Sequence, residues 1–324
     1  MPSASPSGAA PIRLDPNAPI YDPRDPRPPA RLPGATHDIE LVIDERFLTV
    51  AEGIVQKVWS ISSQVPGPVI RVEAGDMVRV HLVNHPPKLH GAAGIGHPAV
   101  NDYPHALQFD GMTGAGGDQT ATLKPAEDTV FEFRAETPGV WMYHGSTQPT
   151  IQSIAYGMYG MLIVEPKGGL GAVDQELFFV QGEWYLAGTN QFRPPLPSLA
   201  KAEAAVPAPD FVLLNGIADQ YQEHPIHVGT GTRIRAFLLD AGPNLSASFR
   251  IEGVTFDRVD RYGNEAAAGS RNGAGLPAVD LSPGKGAIVE FSLPHSGQYQ
   301  IIAQGDNAVV AGARAVLDAG PGGP

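Results

Sequence analysis

Apolar and polar residues alternate over short stretches from His37 onward. His37–Ile43 and Arg46–Ala51 each alternate with a period of two, which predicts two half-buried strands. Val69–Asn84 reads as two more strands turning about Gly75-Asp76, and Thr129–Ala135 alternates again. Met161–Val164 is a continuous apolar run closed by Glu165-Pro166, the pattern of a buried strand ending at a proline. Helical periodicity is scarce. Pro197–Ala205 is the best short helix, with Ser198 as its N-cap.

The chain also repeats itself. Val72–Val80 resembles Val228–Ala236, with Gly231 following Gly75 by 156 positions. Leu123-Lys-Pro125, Val130–Phe133 and Gly139 resemble Leu281-Ser-Pro283, Ile288–Phe291 and Gly297, and Gly297 follows Gly139 by 158. A matched order at nearly constant offset predicts two similar all-β domains, built as tandem Greek-key β-sandwiches. The expected layout is an N-terminal arm over 1–36, domains over 37–170 and 171–318, and a flexible tail over 319–324. Ten of the 32 prolines fall before residue 37, so the arm is read as extended or disordered, or laid along a partner subunit.

Composition narrows the chemistry. The 324 residues carry a net charge of −12, which argues against a nucleic-acid partner, and hold no run apolar enough to span a membrane. The start shows no basic and apolar export pattern, so a cytoplasmic location is expected. The absence of cysteine excludes disulfides, zinc–thiolate sites, thiol nucleophiles and copper–thiolate centres. Gly114–Gly117 lacks the lysine of a phosphate-binding loop and is read as a turn. Ser153 lacks a nucleophile elbow, and His224 and His227 are read as surface residues of a strand. His85, His90, His97 and His105 fall within 21 residues; they are read as exposed loop histidines, as an active-site lid, or as a metal cluster.

Tyr143-His144-Gly145 through Ile154–Gly160 resembles the type 1 copper loop of a cupredoxin. With Val65–Asp76, Gln181–Leu186, Pro207–Gly216, Leu238–Asn244 and Val279–Phe291, the chain resembles the two-domain copper nitrite reductases of the multicopper oxidase family from about His37 to Leu317. That resemblance implies a homotrimer with a type 1 copper held by two His, one Cys and one Met. It also implies a type 2 copper held by three His at a subunit interface. Carried over, the type 1 positions fall on His105, Gly145 in place of the Cys, Ser153 in place of the second His, and Met158. The type 2 positions fall on Asp110, His144 and, from the second domain, Gln304. The family's proton-donating acid falls on Gln108 and a nearby second-domain His on Arg250.

His105, His144 and Met158 are thus remnants of metal-ligand positions, and no cofactor is expected. A single weak copper or zinc ion is the alternative. Without metal, Asp110 could orient His144 as a general base, with Arg250 and Gln304 completing a pocket for a small anionic or carbonyl ligand at the subunit interface. The plainer alternatives are a self-satisfied His144–Asp110 pair and an Arg250 salt bridge to Glu252 or Asp257. Three functions remain open: a repurposed pocket, an oxidoreductase with one altered metal site, or a structural protein with inert pockets.

Overall fold

The computed structural model describes residues 22–85, 102–112, 121–187, 196–261, 275–304 and 312–321. The first half contains β1 (Thr36–Ala51), β2 (Ile54–Ile61), β3 (Ile70–Glu73), β4 (Met77–Asn84), β5 (Leu107–Phe109), β6 (Asp128–Arg134), β7 (Gly139–Gly145), α1 (Thr150–Ala155) and β8 (Tyr159–Glu165). They form two sheets, ordered β2-β1-β4-β6 and β3-β8-β7-β5. The second half contains β9 (Gln175–Trp184), α2 (Leu199–Ala202), β10 (Phe211–Leu214), α3 (Gln220–Glu223), β11 (His224–Gly229), β12 (Arg233–Asp240), β13 (Ala247–Ile251), β14 (Arg258–Arg261), β15 (Ala278–Leu281), β16 (Lys285–Ser292), β17 (Gly297–Gln304) and β18 (Arg314–Gly320). Its sheets run β10-β9-β12-β16-β14 and β11-β18-β17-β13-β15. The pairing order recurs: β3 and β8 are parallel, as are β11 and β18; β1 and β4 are parallel, as are β9 and β12. The chain is all-β, and no helix among the described residues is long and apolar enough to cross a membrane.

Two expectations need correction. The two strands expected over 37–51 are one. Asp44 and Glu45 do not break it, because Asp44 holds Arg46 at 2.7 Å and accepts from the Ser60 hydroxyl, while Glu45 pairs with Lys57. Up to Ile43 the strand pairs with β4, and from Ile43 onward with β2. Nor do β3 and β4 form a hairpin. β3 joins β8 in one sheet and β4 joins β1 and β6 in the other, so Gly75 (φ +99°) turns the chain across the sandwich. Asp76 fixes that corner by accepting from Glu73 N–H at 2.8 Å and facing His37 Nε2 at 2.8 Å. The expected helix contracts to α2, with Ser198 accepting from Lys201 N–H at 3.4 Å.

Each sandwich has its own core, and a third apolar cluster joins them. Alternation along β9 sends Leu177 and Phe179 into the second core and Phe178 and Val180 into the shared seam. There they meet Val140 and Met142 of β7 and Met161 and Ile163 of β8. β16 approaches so closely that a Cβ on Gly286 would lie 2.6 Å from the Val140 carbonyl oxygen.

A buried charge ladder crosses the edge of this seam. Glu176, Arg235, Glu290 and Arg258 are neighbours on β9, β12, β16 and β14. Arg71 enters from β3, donating to Glu165 at 2.6 Å and to both oxygens of Glu176 at 2.6 and 3.0 Å. Burial would raise the Glu176 pKa, but Arg71 and Arg235 outweigh it and hold the carboxyl below its usual range.

The described part of the arm lies along its own chain. Arg24 N–H donates to Gln220, Phe178 N–H donates to the Pro26 carbonyl, and Leu32 N–H donates to the Arg71 carbonyl. The arm thus straps both sandwiches. Arg71→Met should destabilise the protein by about 3 kcal/mol, because it leaves buried carboxylates short of their cation. Arg79→Ala, on a solvent-exposed ion pair, should cause no measurable change. Urea unfolding of both variants checks this.

Candidate functional site: two side-chain groups on either face of one strand

Neighbouring residues of a strand point to opposite faces, and at the end of β7 this separates His144 from Gly145. Tyr143 and Gly145 face the first core, whereas Met142 and His144 face the seam between sandwiches.

On the inner face, Gly145, Ser153 of α1 and Met158 are mutually packed. A Cβ on Gly145 would lie 2.5 Å from Ser153 Cβ, 2.9 Å from its Oγ and 3.2 Å from Met158 Cβ. The chain locks this arrangement through Gly145 N–H to the Met158 carbonyl and Met158 N–H to the Ser153 carbonyl, both at 2.9 Å. His105 is completely buried, held by paired backbone bonds to Leu123. Its ring meets Trp59 edge-on at 4.7 Å, and Trp59 also packs on Tyr103 and Tyr156. Neither ring nitrogen of His105 has a hydrogen-bond partner. Burial lowers its pKa to about 4, so the imidazole is neutral at pH 7. His105 is therefore a core residue and not an exposed loop histidine. His85 donates its backbone N–H to the Ile43 carbonyl; His90 and His97, like Gly114–Gly117, lie outside the described residues. One imidazole and one thioether, with the space for a thiolate already filled, do not fit a type 1 copper.

On the outer face, Asp110 follows β5 and donates its N–H to the Met142 carbonyl at 2.9 Å. Its Oδ1 lies 3.5 Å from His144 Nε2 and accepts from Gln108 Nε2 at 3.2 Å. His144 Nδ1 faces the Gly145 carbonyl at 2.9 Å. Burial would lower the His144 pKa, but Asp110 and that carbonyl outweigh it, so the net shift is upward. Asp110 Oδ2 points across the seam toward Gly284, within 3.8 Å of where a Cβ there would stand. Asp110 and His144 are thus brought together, with Gln108 beside Asp110. A catalytic metal commonly takes three protein ligands, and among the described residues no cluster of three His, Cys, Asp or Glu is suited to a metal.

The second-domain residues lie elsewhere in the chain. Arg250 is on β13, paired through its backbone with Ala278 and Ile302. Gln304 ends β17 beside Ala247, and its side chain lies outside the described residues. His224 and His227 are exposed on β11. Sequence reasoning passed over the aromatic wall on Trp59 and the ion network on Arg71. The signal for the latter was present: Arg71, Glu165, Arg235 and Glu290 interrupt otherwise apolar runs, where a charge demands a buried partner.

The multicopper oxidase family model matches residues 44–169. The copper-containing nitrite reductase of Neisseria meningitidis serogroup B is 32% identical over 260 residues, which cover 80% of this chain and 62% of that protein. A solved copper nitrite reductase from Nitrosomonas europaea superposes with a TM-score of 0.71 at 25% identity, over 88% of this chain and 94% of that one. The chain is similar over most of its length to copper-containing nitrite reductases and shares their all-β fold, and its first sandwich matches the multicopper oxidase model. A family structure from Thermus scotoductus shares the fold, with a TM-score of 0.73 at 23% identity over 90% of this chain and 63% of that one. The chain spans about three fifths of the length of the Neisseria family members it matches.

Two predictions follow from the opposed groups. Gly145→Cys should destabilise by about 1–3 kcal/mol through overpacking against Ser153, and Ser153→Gly in that background should recover part of the loss in denaturant titrations. The two histidines should also act at opposite ends of the pH scale. His105, lowered from 6.5 to about 4, withdraws stability as pH falls through that window, to a limit of about 3 kcal/mol. His144, raised above 6.5, contributes stability below that value and loses it as pH rises through its elevated pKa. Unfolding free energies measured from pH 4 to 9 should flatten on the acid side in His105→Phe and on the alkaline side in His144→Gln.

Proposed function

We propose that this protein is a nitrite reductase-like cupredoxin without type 1 copper. Its His144–Asp110 pocket binds a small anionic or carbonyl ligand and works on it without a metal. The observation that supports this reading is the closed His144–Asp110–Gln108 group, set one residue from a glycine with no room for a thiolate. The Gly145 carbonyl fixes the ring through Nδ1–H, so Nε2 carries the transferable proton. Asp110 stabilises the imidazolium, and Gln108 restrains Asp110. A ligand oxygen reaching Nε2 beside Asp110 would accept that proton, which makes His144 a general acid in one direction and a general base in the other. Arg250 and Gln304, placed away from this group within one chain, are assigned to the wall supplied by a neighbouring copy in a homotrimer, with Arg250 as the anion anchor.

A single metal at an altered site is the competing reading, favoured by the two unpartnered ring nitrogens of His105. Elemental analysis after incubation with copper and zinc and extensive dialysis separates them. The expected result is no retained metal, no nitrite reduction with an artificial electron donor, and thermal stabilisation by small carboxylic acids that is lost in His144→Ala and Asp110→Asn. About one metal per chain, lost in His144→Ala, or robust nitrite turnover would overturn the proposal. Absence of both metal and ligand response would leave the structural role.

A further inference from the structure

Asp110 uses one carboxylate oxygen and leaves the other open. Oδ1 accepts from Gln108 Nε2 and faces His144 Nε2, whereas Oδ2 has no hydrogen-bond partner among the described residues. The Asp110 side chain is 26% exposed, so this oxygen can be reached from outside.

The turn from β15 to β16 stands opposite. Lys285 N–H closes it on the Ser282 carbonyl at 3.0 Å, and Gly284 N–H ties it to the Asp240 carbonyl of β12 at 2.7 Å. Gly284 has φ +79°, a conformation that suits glycine. Its chain neighbours aside, Asp110 Oδ2 is the only described atom within 4 Å of where a Cβ on Gly284 would stand. The glycine thus leaves space beside Oδ2 that a side chain would take.

His144 Nε2 lies 3.5 Å from Asp110 Oδ1. That is beyond the range of about 2.7–3.2 Å for a good N–H···O bond, so the N–H is weakly held and can turn to a ligand oxygen. The group therefore offers a donor, Nε2–H, next to an acceptor, Oδ2. An ionised carboxylate only accepts, so whatever meets Oδ2 must donate. A ligand carboxylate would be repelled there. An ammonium would lie against the His144 ring, whose charged form is favoured. A neutral hydroxyl meets neither objection.

We propose that the ligand of this site carries a hydroxyl on the carbon next to its carbonyl or carboxylate group. Its carbonyl-type oxygen accepts from His144 Nε2, and its hydroxyl donates to Asp110 Oδ2 in the space beside Gly284. This names the ligand class of the His144–Asp110 reading and rests on that reading; Gly284 sets the specificity by leaving room for the hydroxyl.

Calorimetric titration of the full chain at pH 7 and constant ionic strength tests it with pairs of one shape. Glycolate is compared with propionate, in which a methyl replaces the hydroxyl, and hydroxyacetone with butanone. The hydroxyl compound of at least one pair should bind about tenfold more tightly, the effect of one hydrogen bond to a charged group. Which pair shows the preference separates acid from carbonyl ligands. Gly284→Ala should cut the preference to about twofold or less while the partner without a hydroxyl still binds, with thermal unfolding as the check that the variant is folded. If it is not folded, the wild-type pairs alone decide. Equal binding within both pairs, a preference undiminished in folded Gly284→Ala, or glycine binding more tightly than glycolate would each overturn this proposal and leave the His144–Asp110 reading standing. If none of these molecules bound, that reading would fall and this proposal with it.

Discussion

The arrangement of the whole molecule depends on Arg71 reaching across from β3 to Glu176 of β9. Apolar burial along the seam is favourable but non-directional, so it holds the sandwiches together without fixing their register. A bidentate guanidinium–carboxylate pair does fix it, because planar groups must meet edge to edge. Burial makes this demand strict, since an unpaired charge in the seam is costly. In the same seam β16 crosses β7 with Gly286 close against Val140, and Gly284 lies opposite the Asp110 side chain.

The two side-chain groups on β7 lie on opposite faces of that frame. β7 emerges with His144 on the seam and Gly145 on the core, so one dipeptide serves two environments with opposite electrostatics. His105, sealed among aromatic rings, is kept neutral by desolvation. His144, equally hidden but beside a carboxylate, has its charged form favoured despite burial. At Gly145 the packing of α1 leaves no room for a side chain, and the neighbouring His144 closes on Asp110.

Much of this was legible in the residues. Period-two alternation predicted strands, the offset repeat predicted two similar sandwiches, and the ordered segments around Tyr143-His144-Gly145 carried the family. The residue types at Gly145, Ser153 and Asp110, where the resemblance implies metal ligands, were likewise plain in the sequence. The contact between Asp110 and His144 was expected from their carried-over roles, and the structure brings them within 3.5 Å. The joining of 37–51 into one strand was not legible, because Asp44 and Glu45 resemble a break until Arg46, Ser60 and Lys57 are seen beside them.

Local pattern determined which segments extend, where glycine must turn the chain, and which chemical groups are absent altogether. It did so because side-chain alternation, turn stereochemistry and the lack of a thiol are properties of residues and their neighbours. Tertiary structure alone decided that β3 and β4 part into different sheets, that His105 is buried and unpartnered, and that Arg71, Glu176 and Arg235 meet in one network. Those outcomes depend on residues distant in sequence being brought into contact, 94 and 105 positions for Arg71 with Glu165 and Glu176, and burial and charge pairing act through distance in space, which sequence spacing does not encode.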